Sequence, residues 1–309
     1  MPNLDFTPIS DALINADIHS NELLRVFHGR GHTIAELSHI NVDFYPPYLF
    51  ISAYEPLCES QLAQLTTVLL DTLSTHWPEA ITGMIYQHRA GQQTQTSILM
   101  GEDPGAFVIQ ELGVKYQVEL TRHQNTGIFP DMREGRQFVM DHAKHANVLN
   151  LFSYTCGFSV AAMKGGADRV VNMDMNKGVL RVGKINHQLN DVDRNVSYLP
   201  HDILKSFGKL KKMGPYDLVV VDPPSFQKGS FVLTKDYQKI IRRVPELLAD
   251  NAHVLFCANS PELSEQAFKQ LIDEHCDSHL TFLQRLAPAP NFIEVDTDRS
   301  LKALVYTNT

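Results

Sequence analysis

Neither a disulfide framework nor a zinc site is supported by this sequence. Its four cysteines, Cys58, Cys156, Cys257 and Cys276, lie far apart, with no C-x-x-C pair and no Cys/His ligand spacing. Reduced and mostly buried thiols are expected, and no metal. No stretch approaches 18 uninterrupted apolar residues, which argues against a spanning helix and a membrane partner. The first twenty residues carry Asp5, Asp11 and Asp17 but no basic n-region, so no secretory signal is read there and a cytoplasmic location is expected. Low-complexity tracts and internal repeats are also missing. Positive charge is scarce: the formal net charge is −8, which globally disfavours a partner held through its phosphates. What remains, 43% hydrophobic and 20% charged, is the composition of a folded enzyme.

A single core rarely grows beyond about 250–300 residues, so 309 residues predict two domains. Residues 1–121 read as a small α+β domain, with a helix near 19–28 and a strand at 48–54. A helix at 58–75 puts Leu62, Leu65, Val68, Leu69 and Leu73 on one stripe. Strands follow near 80–89, 106–112 and 114–121, with the polar 91–96 (GQQTQT) as a loop. Residues 122–309 read as an α/β domain. Candidate strands 147–152, 169–174, 195–200, 216–222 and 252–258 alternate with helices near 157–165, 177–190, 202–210 and 234–250, the pattern of a parallel sheet covered on both faces. Apolar runs at 280–287 and 301–307 predict an antiparallel hairpin at its edge. The whole is expected to be a Rossmann-like, seven-stranded sheet, one that resembles the class I methyltransferase sheet.

Three strand ends carry the chemistry. The first strand runs through Asn150 into Phe152-Ser-Tyr-Thr-Cys-Gly157 and a helix start, where a glycine and a helix N-terminus suit an anion such as the methionine carboxylate of S-adenosylmethionine. The second ends in Asp174, seventeen residues after Gly157 and followed by Met175, where a carboxylate can accept both ribose hydroxyls. After the third, Asp202 and Ile203 are placed to meet the adenine. The fingerprint G-x-G-x-x-G of dinucleotide-binding dehydrogenases is absent, which disfavours that alternative. Taken singly, each acid could merely cap a helix; the ordered set is the signal.

The fourth strand ends in Asp222-Pro223-Pro224-Ser225-Phe226. Two prolines lack N–H groups, so the turn offers acceptors to a planar substrate on which Phe226 can stack. Methyl transfer from a sulfonium is an in-line displacement, and it needs alignment in a dry site rather than a metal or a catalytic triad. Segment 205–243 carries nine basic residues (Lys205, Lys209, Lys211, Lys212, Lys228, Lys235, Lys239, Arg242 and Arg243) against Asp217, Asp222 and Asp236, a local charge of 9 − 3 = +6. Lys228, Lys235, Lys239 and Arg242 are therefore candidate substrate contacts, although a charged face is often merely solvated.

These residues resemble the bacterial 23S rRNA methyltransferases that act on cytosine C5 or guanine N7. The resemblance covers nearly the whole chain and rests on Arg25-Val-Phe-His-Gly-Arg-Gly31 with Val42-Asp43, on Thr126-Gly-Ile-Phe-Pro-Asp-Met-Arg133, on Leu149-Asn-Leu-Phe-Ser-Tyr-Thr155 with Gly157-Phe158, and on Asp222-Pro-Pro-Ser-Phe226. It implies S-adenosylmethionine as cofactor, S-adenosylhomocysteine as product and rRNA as substrate. It also implies a loop, with Phe129, Asp131 and Arg133, that closes over the cofactor. The chain departs from the family in three ways. Cys156 stands where glycine is usual, no PUA module is expected ahead of the small domain, and Asn259 occupies the position of the cysteine of the cytosine-C5 members.

The function expected is methylation of a ring or exocyclic nitrogen of an rRNA base, with Asp222, Pro223, Pro224, Phe226 and Asn259 at the acceptor. Cytosine-C5 methylation, a protein amide or small planar metabolite as substrate, and a non-catalytic assembly factor are the alternatives. The acidic net charge favours a non-RNA substrate, and the oligomeric state, a homodimer included, stays open.

Overall fold

A computed structural model describes residues 4–90, 93–224, 226–227, 231–276 and 280–308; for residues 90, 93, 226, 227, 231, 232 and 234 it describes the backbone alone. The chain divides into two compact units, residues 1–131 with 289–295, and residues 132–288 with 296–309. The boundary expected from sequence lies ten residues earlier, and the return of 289–295 to the first unit has no local sequence signature.

The first unit opens with α1 (Thr7–Ile14) and a five-stranded sheet: β1 (Leu24–His28), β2 (Ile40–Tyr45), β3 (Tyr48–Ala53), then, after α2 (Glu59–His76), β4 (Gly83–Ala90) and β5 (Gln93–Met100). The crossover through α2 makes β3 and β4 parallel, and the other pairs are antiparallel. A hairpin of β6 (Ala106–Glu111) and β7 (Val114–Glu119) turns through Leu112 and Gly113, both with positive φ. Two expectations are corrected. Residues 19–28 form a short 3-10 turn and β1 rather than a helix, because Val26 and Phe27 are buried in the sheet. The GQQTQT stretch is no loop from Gln93 onward but the start of edge strand β5, whose polar side chains can face water at no cost; residues 91–92 lie outside the described set.

The second unit begins with α3 (Arg133–His142), then β8 (Asn147–Leu151), α4 (Gly157–Lys164), β9 (Arg169–Met173), α5 (Lys177–Leu189), β10 (Val196–Leu199), α6 (Phe207–Met213) and β11 (Tyr216–Val221). The two-residue strands β12 (Phe226–Gln227) and β13 (Phe231–Val232), α7 (Leu233–Ile241), β14 (Leu248–Ala258), α8 (Glu265–Asp273), β15 (Leu280–Arg285) and β16 (Lys302–Asn308) complete it. Seven strands make one sheet in the order β10-β9-β8-β11-β14-β16-β15. The five strands from β10 to β14 are parallel, and the expected hairpin is present at the edge, with β16 antiparallel to both β14 and β15. Alternate residues enter different cores. Leu149, Leu151, Val219, Val221, Val254 and Phe256 pack with α6, α7 and α8, while Val148, Leu218, Val220, Leu255 and Cys257 pack with α3 and α4. A strand covered on both faces is apolar along most of its length, which is why these runs are legible.

Two helices are shorter than the sequence pattern predicts. Residues 202–206 form a turn held by Asp202, whose Oδ1 accepts the Leu204 N–H at 3.0 Å, and α6 starts only at Phe207. The expected helix 234–250 stops at Ile241, because Pro245 cannot donate a helical hydrogen bond and Leu248 already enters β14.

A chain of buried polar side chains ties the first βαβ unit together. The His187 Nδ1 lies 2.8 Å from the Gly183 carbonyl, which can only accept, so Nδ1 carries the proton and Nε2 accepts from Ser159 Oγ at 2.7 Å. Ser159 Oγ then accepts from Asn172 Nδ2 at 2.9 Å, and Asn172 Oδ1 from Asn150 Nδ2 at 3.1 Å. Burial lowers the His187 pKa to about 4, against the opposing hydrogen bond to Gly183. Between about pH 6.5 and 4 the unfolded chain therefore binds a proton that the folded chain does not, and stability should fall by roughly 2–3 kcal/mol as pH drops through that window. Urea unfolding should show this decline, and His187→Gln, less stable at pH 7, should lose the His187 contribution to it, so that the gap from wild type narrows at pH 5.

Candidate cofactor and acceptor site

The ladder aligns Leu199, Met173, Leu151, Val221 and Phe256 in one row across five strands. The residues next along β8, β9 and β11, Phe152, Asp174 and Asp222, therefore emerge together at the carboxyl end of the parallel sheet, beside buried Cys257 of β14. Chain connection reverses between β8 and β11, and ligands of open α/β sheets bind at such a switch point.

The turn after β8 is unusual. Phe152, Tyr154 and Cys156 all have left-handed φ, at 55°, 47° and 64°. Each such residue costs roughly 1–2 kcal/mol, and strain of this kind collects at functional sites. Its partners over-determine it: the Ser153 N–H donates to the Met173 carbonyl at 3.1 Å, the Tyr154 N–H to Asp174 Oδ2 at 3.0 Å and the Cys156 N–H to the Ser153 carbonyl at 2.7 Å. Asp174 thus fixes the turn with one oxygen, while Oδ1 accepts the Asn176 N–H at 2.8 Å. Burial raises the Asp174 pKa, and these two N–H groups oppose the rise. Met175 beside it is 44% exposed, a large apolar surface next to a half-buried carboxylate.

Cys156 replaces the expected glycine through a compensation on α5. A Cβ on Gly183 would meet Cys156 Sγ at 2.3 Å, so the thiol occupies the space that a side chain at 183 would need. A Cβ on Gly157, in contrast, would meet only Arg136 Cδ at 3.6 Å, leaving the start of α4 open. The Cys156 thiol is fully buried, and that burial pushes its pKa up.

The fourth and fifth strand ends are held by two residues that sequence reasoning missed. Tyr237 of α7 places Oη 3.1 Å from the Val221 carbonyl and 2.9 Å from the Cys257 carbonyl, joining β11 and β14 just below Asp222. Lys302 is fully buried, and its Nζ donates to the Ser260 carbonyl at 2.9 Å, anchoring the segment that carries Asn259. Tyr237 shares a stripe with Leu233, Ile241 and Val244, a signal that was available; the role of Lys302 shows only in three dimensions. Asp222 is half-buried, Pro223 buried, and Pro224 and Asn259 exposed. The Phe226 side chain and Lys228 lie outside the described residues.

Other expected residues fall less centrally. The Ile203 side chain is buried in the core with Phe207 and Leu210. Asp202 is engaged by Leu204 and by Lys205, whose Nζ is 3.2 Å away. Phe129, 41% exposed, and Asp131 belong to the first unit, Arg133 to the second, where its Nη1 lies 3.2 Å from Glu134 Oε1. Lys235, Lys239 and Arg242 are exposed, although Lys239 also pairs with Asp236 at 2.7 Å. Arg243 instead stacks over Phe207 at 4.3 Å. Among the described residues no group of three His, Cys, Asp or Glu side chains could hold a metal ion, and no helix is long and apolar enough to cross a membrane.

A family model for S-adenosylmethionine-dependent methyltransferases matches residues 24–307. The chain belongs to that family. Ribosomal RNA large subunit methyltransferase I of Aeromonas salmonicida is 30% identical over 75% of this chain and 60% of its own length. The corresponding protein of Vibrio vulnificus strain YJ016 is 29% identical over 75% of this chain and 61% of its own. The chain thus spans about three fifths of these relatives. Among solved structures, one described as a methyltransferase in complex with S-adenosylhomocysteine is 26% identical and superposes with a TM-score of 0.83 over 99% of this chain and 83% of its own. A Streptococcus mutans protein described as S-adenosylmethionine-dependent gives 0.82 at 26% identity, over 99% and 82%.

The residues fit this family's cofactor, S-adenosylmethionine. The open start of α4 at Gly157 suits the carboxylate, the Asp174 oxygens suit the ribose hydroxyls, and exposed Met175 suits an adenine face. Removing the Asp174 carboxylate should weaken S-adenosylmethionine binding about ten- to a hundredfold, since two hydroxyls and the Tyr154 N–H lose their acceptor; calorimetry on folded Asp174→Ala reads this, and unchanged affinity overturns the assignment. Gly183→Ala should destabilise the protein by roughly 1–3 kcal/mol through overpacking against Cys156. In a Cys156→Gly background, denaturant midpoints should show most of that cost gone.

Proposed function

We propose that this chain methylates a nitrogen of a base in large-subunit ribosomal RNA, in the cytoplasm. The observation that carries the reading is the acceptor turn Asp222-Pro-Pro at the switch-point edge of the sheet, with Asn259 just beyond the neighbouring strand and an exposed basic face at Lys235, Lys239 and Arg242. The relatives named as rRNA methyltransferases support RNA as the substrate. Bound S-adenosylmethionine supplies an electrophilic methyl group. The protein's share is to hold the base flat and in line. The Asp222 carboxylate accepts an N–H from the base edge, and the Asn259 amide bonds a second edge atom.

Nitrogen is preferred over cytosine C5 because C5 becomes nucleophilic only after a thiolate adds at C6. In the second unit Cys156, Cys257 and Cys276 are all buried. Cys257 in particular packs with Val148, Val220 and Leu255, apolar neighbours that shield its sulfur from a base. Cys257→Ser should therefore keep most activity, while Asp222→Ala and Asn259→Ala should lose roughly 10²-fold or more, the size of losing one preorganised polar group. The assay is methyl transfer to rRNA from cells lacking the enzyme, read by nucleoside mass spectrometry. A 5-methylcytidine product abolished by Cys257→Ser overturns the nitrogen assignment.

A further inference from the structure

The five-stranded sheet of the first unit carries a cluster that the cofactor and acceptor site does not use. Tyr54 directly follows β3, Arg89 lies on β4, and Arg30 follows β1. The Arg30 guanidinium lies over the Tyr54 ring, with Cζ 4.5 Å from the centroid, and Arg89 Cζ approaches the same ring at 5.6 Å. Two like charges are thus gathered at one aromatic ring. Among the described residues neither is neutralised: no carboxylate lies within ion-pair distance of Arg30 or Arg89. Nearby Arg25, by contrast, is buried and paired with Asp43 at 2.5 Å, so its charge is spent internally.

The two free guanidiniums are held, not floppy. Arg89 donates from Nε to Gln87 Oε1 at 2.9 Å and from Nη1 to Tyr54 Oη at 3.3 Å. Gln87 is itself fully buried and donates from Nε2 to the His123 carbonyl at 3.0 Å, so Arg89 stands on a fixed support. The Arg30 backbone N–H donates to buried Asn41 Oδ1 at 3.3 Å, while its exposed side chain is positioned by the tyrosine ring alone and its five N–H donors remain available. A planar fork with unspent donors, held over an aromatic ring, matches a phosphodiester, whose oxygens it can take two at a time.

We infer that Arg30, Tyr54 and Arg89 form a phosphodiester-binding platform for the RNA substrate on the five-stranded sheet. This rests on the rRNA reading above. Phosphate contacts position a nucleic acid without reading its sequence, so the platform supplies orientation and affinity while base choice resides elsewhere. It also accounts for RNA binding by a chain of net charge −8, because two uncompensated, preorganised arginines act locally whatever the total.

The test is binding of fluorescently labelled, in vitro transcribed 23S rRNA to the full chain across a salt series, with S-adenosylmethionine affinity measured in parallel. Arg30→Ala with Arg89→Ala should weaken RNA binding roughly tenfold or more and lower the log–log salt slope by about 1.4–1.8, two phosphate contacts' worth, with cofactor affinity unchanged. Arg30→Glu alone changes one exposed side chain with no internal hydrogen bond, and should cost at least one contact. Wild-type binding with unaltered slope in both variants overturns the platform and leaves the rRNA reading standing. Failure of wild type to bind 23S rRNA at all overturns that reading, and the platform with it.

Discussion

The carboxylate of Asp174 is the constraint on which the cofactor end of the second unit depends. It accepts the Tyr154 N–H at the middle of a turn in which three side-chain-bearing residues adopt left-handed backbone. Without that acceptor and the Ser153 bond to Met173, a run of L-residues would relax to right-handed geometry and swing the start of α4 away from the sheet edge. The same carboxylate is the group proposed to take the ribose hydroxyls. On that proposal cofactor recognition and backbone shape are one interaction, and a glycine-poor turn is tolerable because an acid on the neighbouring strand compensates it.

Behind the turn, the chain from Asn150 through Asn172 and Ser159 to His187 locks β8, β9, α4 and α5 into one arrangement. Each member has a definite donor or acceptor role, which follows from a single carbonyl, that of Gly183. Such a network specifies a unique packing, since a half-satisfied buried chain is worse than an apolar one. Its far end, Asn150 Oδ1, is a buried acceptor with no protein partner among the described residues, directly before the strained turn. A polar atom left so at this position is consistent with a site completed by a ligand or by water.

Much of this was legible in the sequence where one rule dominates. Strands β8, β9, β11 and β14 are buried on both faces and read as apolar runs, so their ends, and hence Phe152, Asp174 and Asp222, could be placed. In the first unit β2 carries buried Asn41 and Asp43, and no run betrays it. Asp43 is inside only because Arg25, eighteen residues earlier, neutralises it. The same holds for His187, Tyr237 and Lys302: a buried polar residue is explained by partners 4 to 42 residues away, and no local pattern announces them. Cys156 illustrates the converse. It reads as an anomaly until Gly183 supplies the missing volume.

The two ends of the sheet edge are built to different requirements. At the cofactor end, acids and N–H groups fix a strained turn. At the proposed acceptor end, Tyr237 bonds the carbonyls of Val221 and Cys257, and Lys302 the carbonyl of Ser260, which leaves half-buried Asp222 and exposed Asn259 as the groups proposed to face a substrate. Backbone carbonyls that could compete for the base's N–H donors are drawn into the protein by buried donors. A rigid rim of acceptors with few competing groups suits a planar base held in line with a methyl donor, because the in-line displacement is governed by alignment more than by proton transfer. Charge enters separately, through exposed Lys235 and Lys239 on α7 with Arg242 just after it and through Arg30 and Arg89 at the Tyr54 ring, so an acidic chain still presents local basic surface.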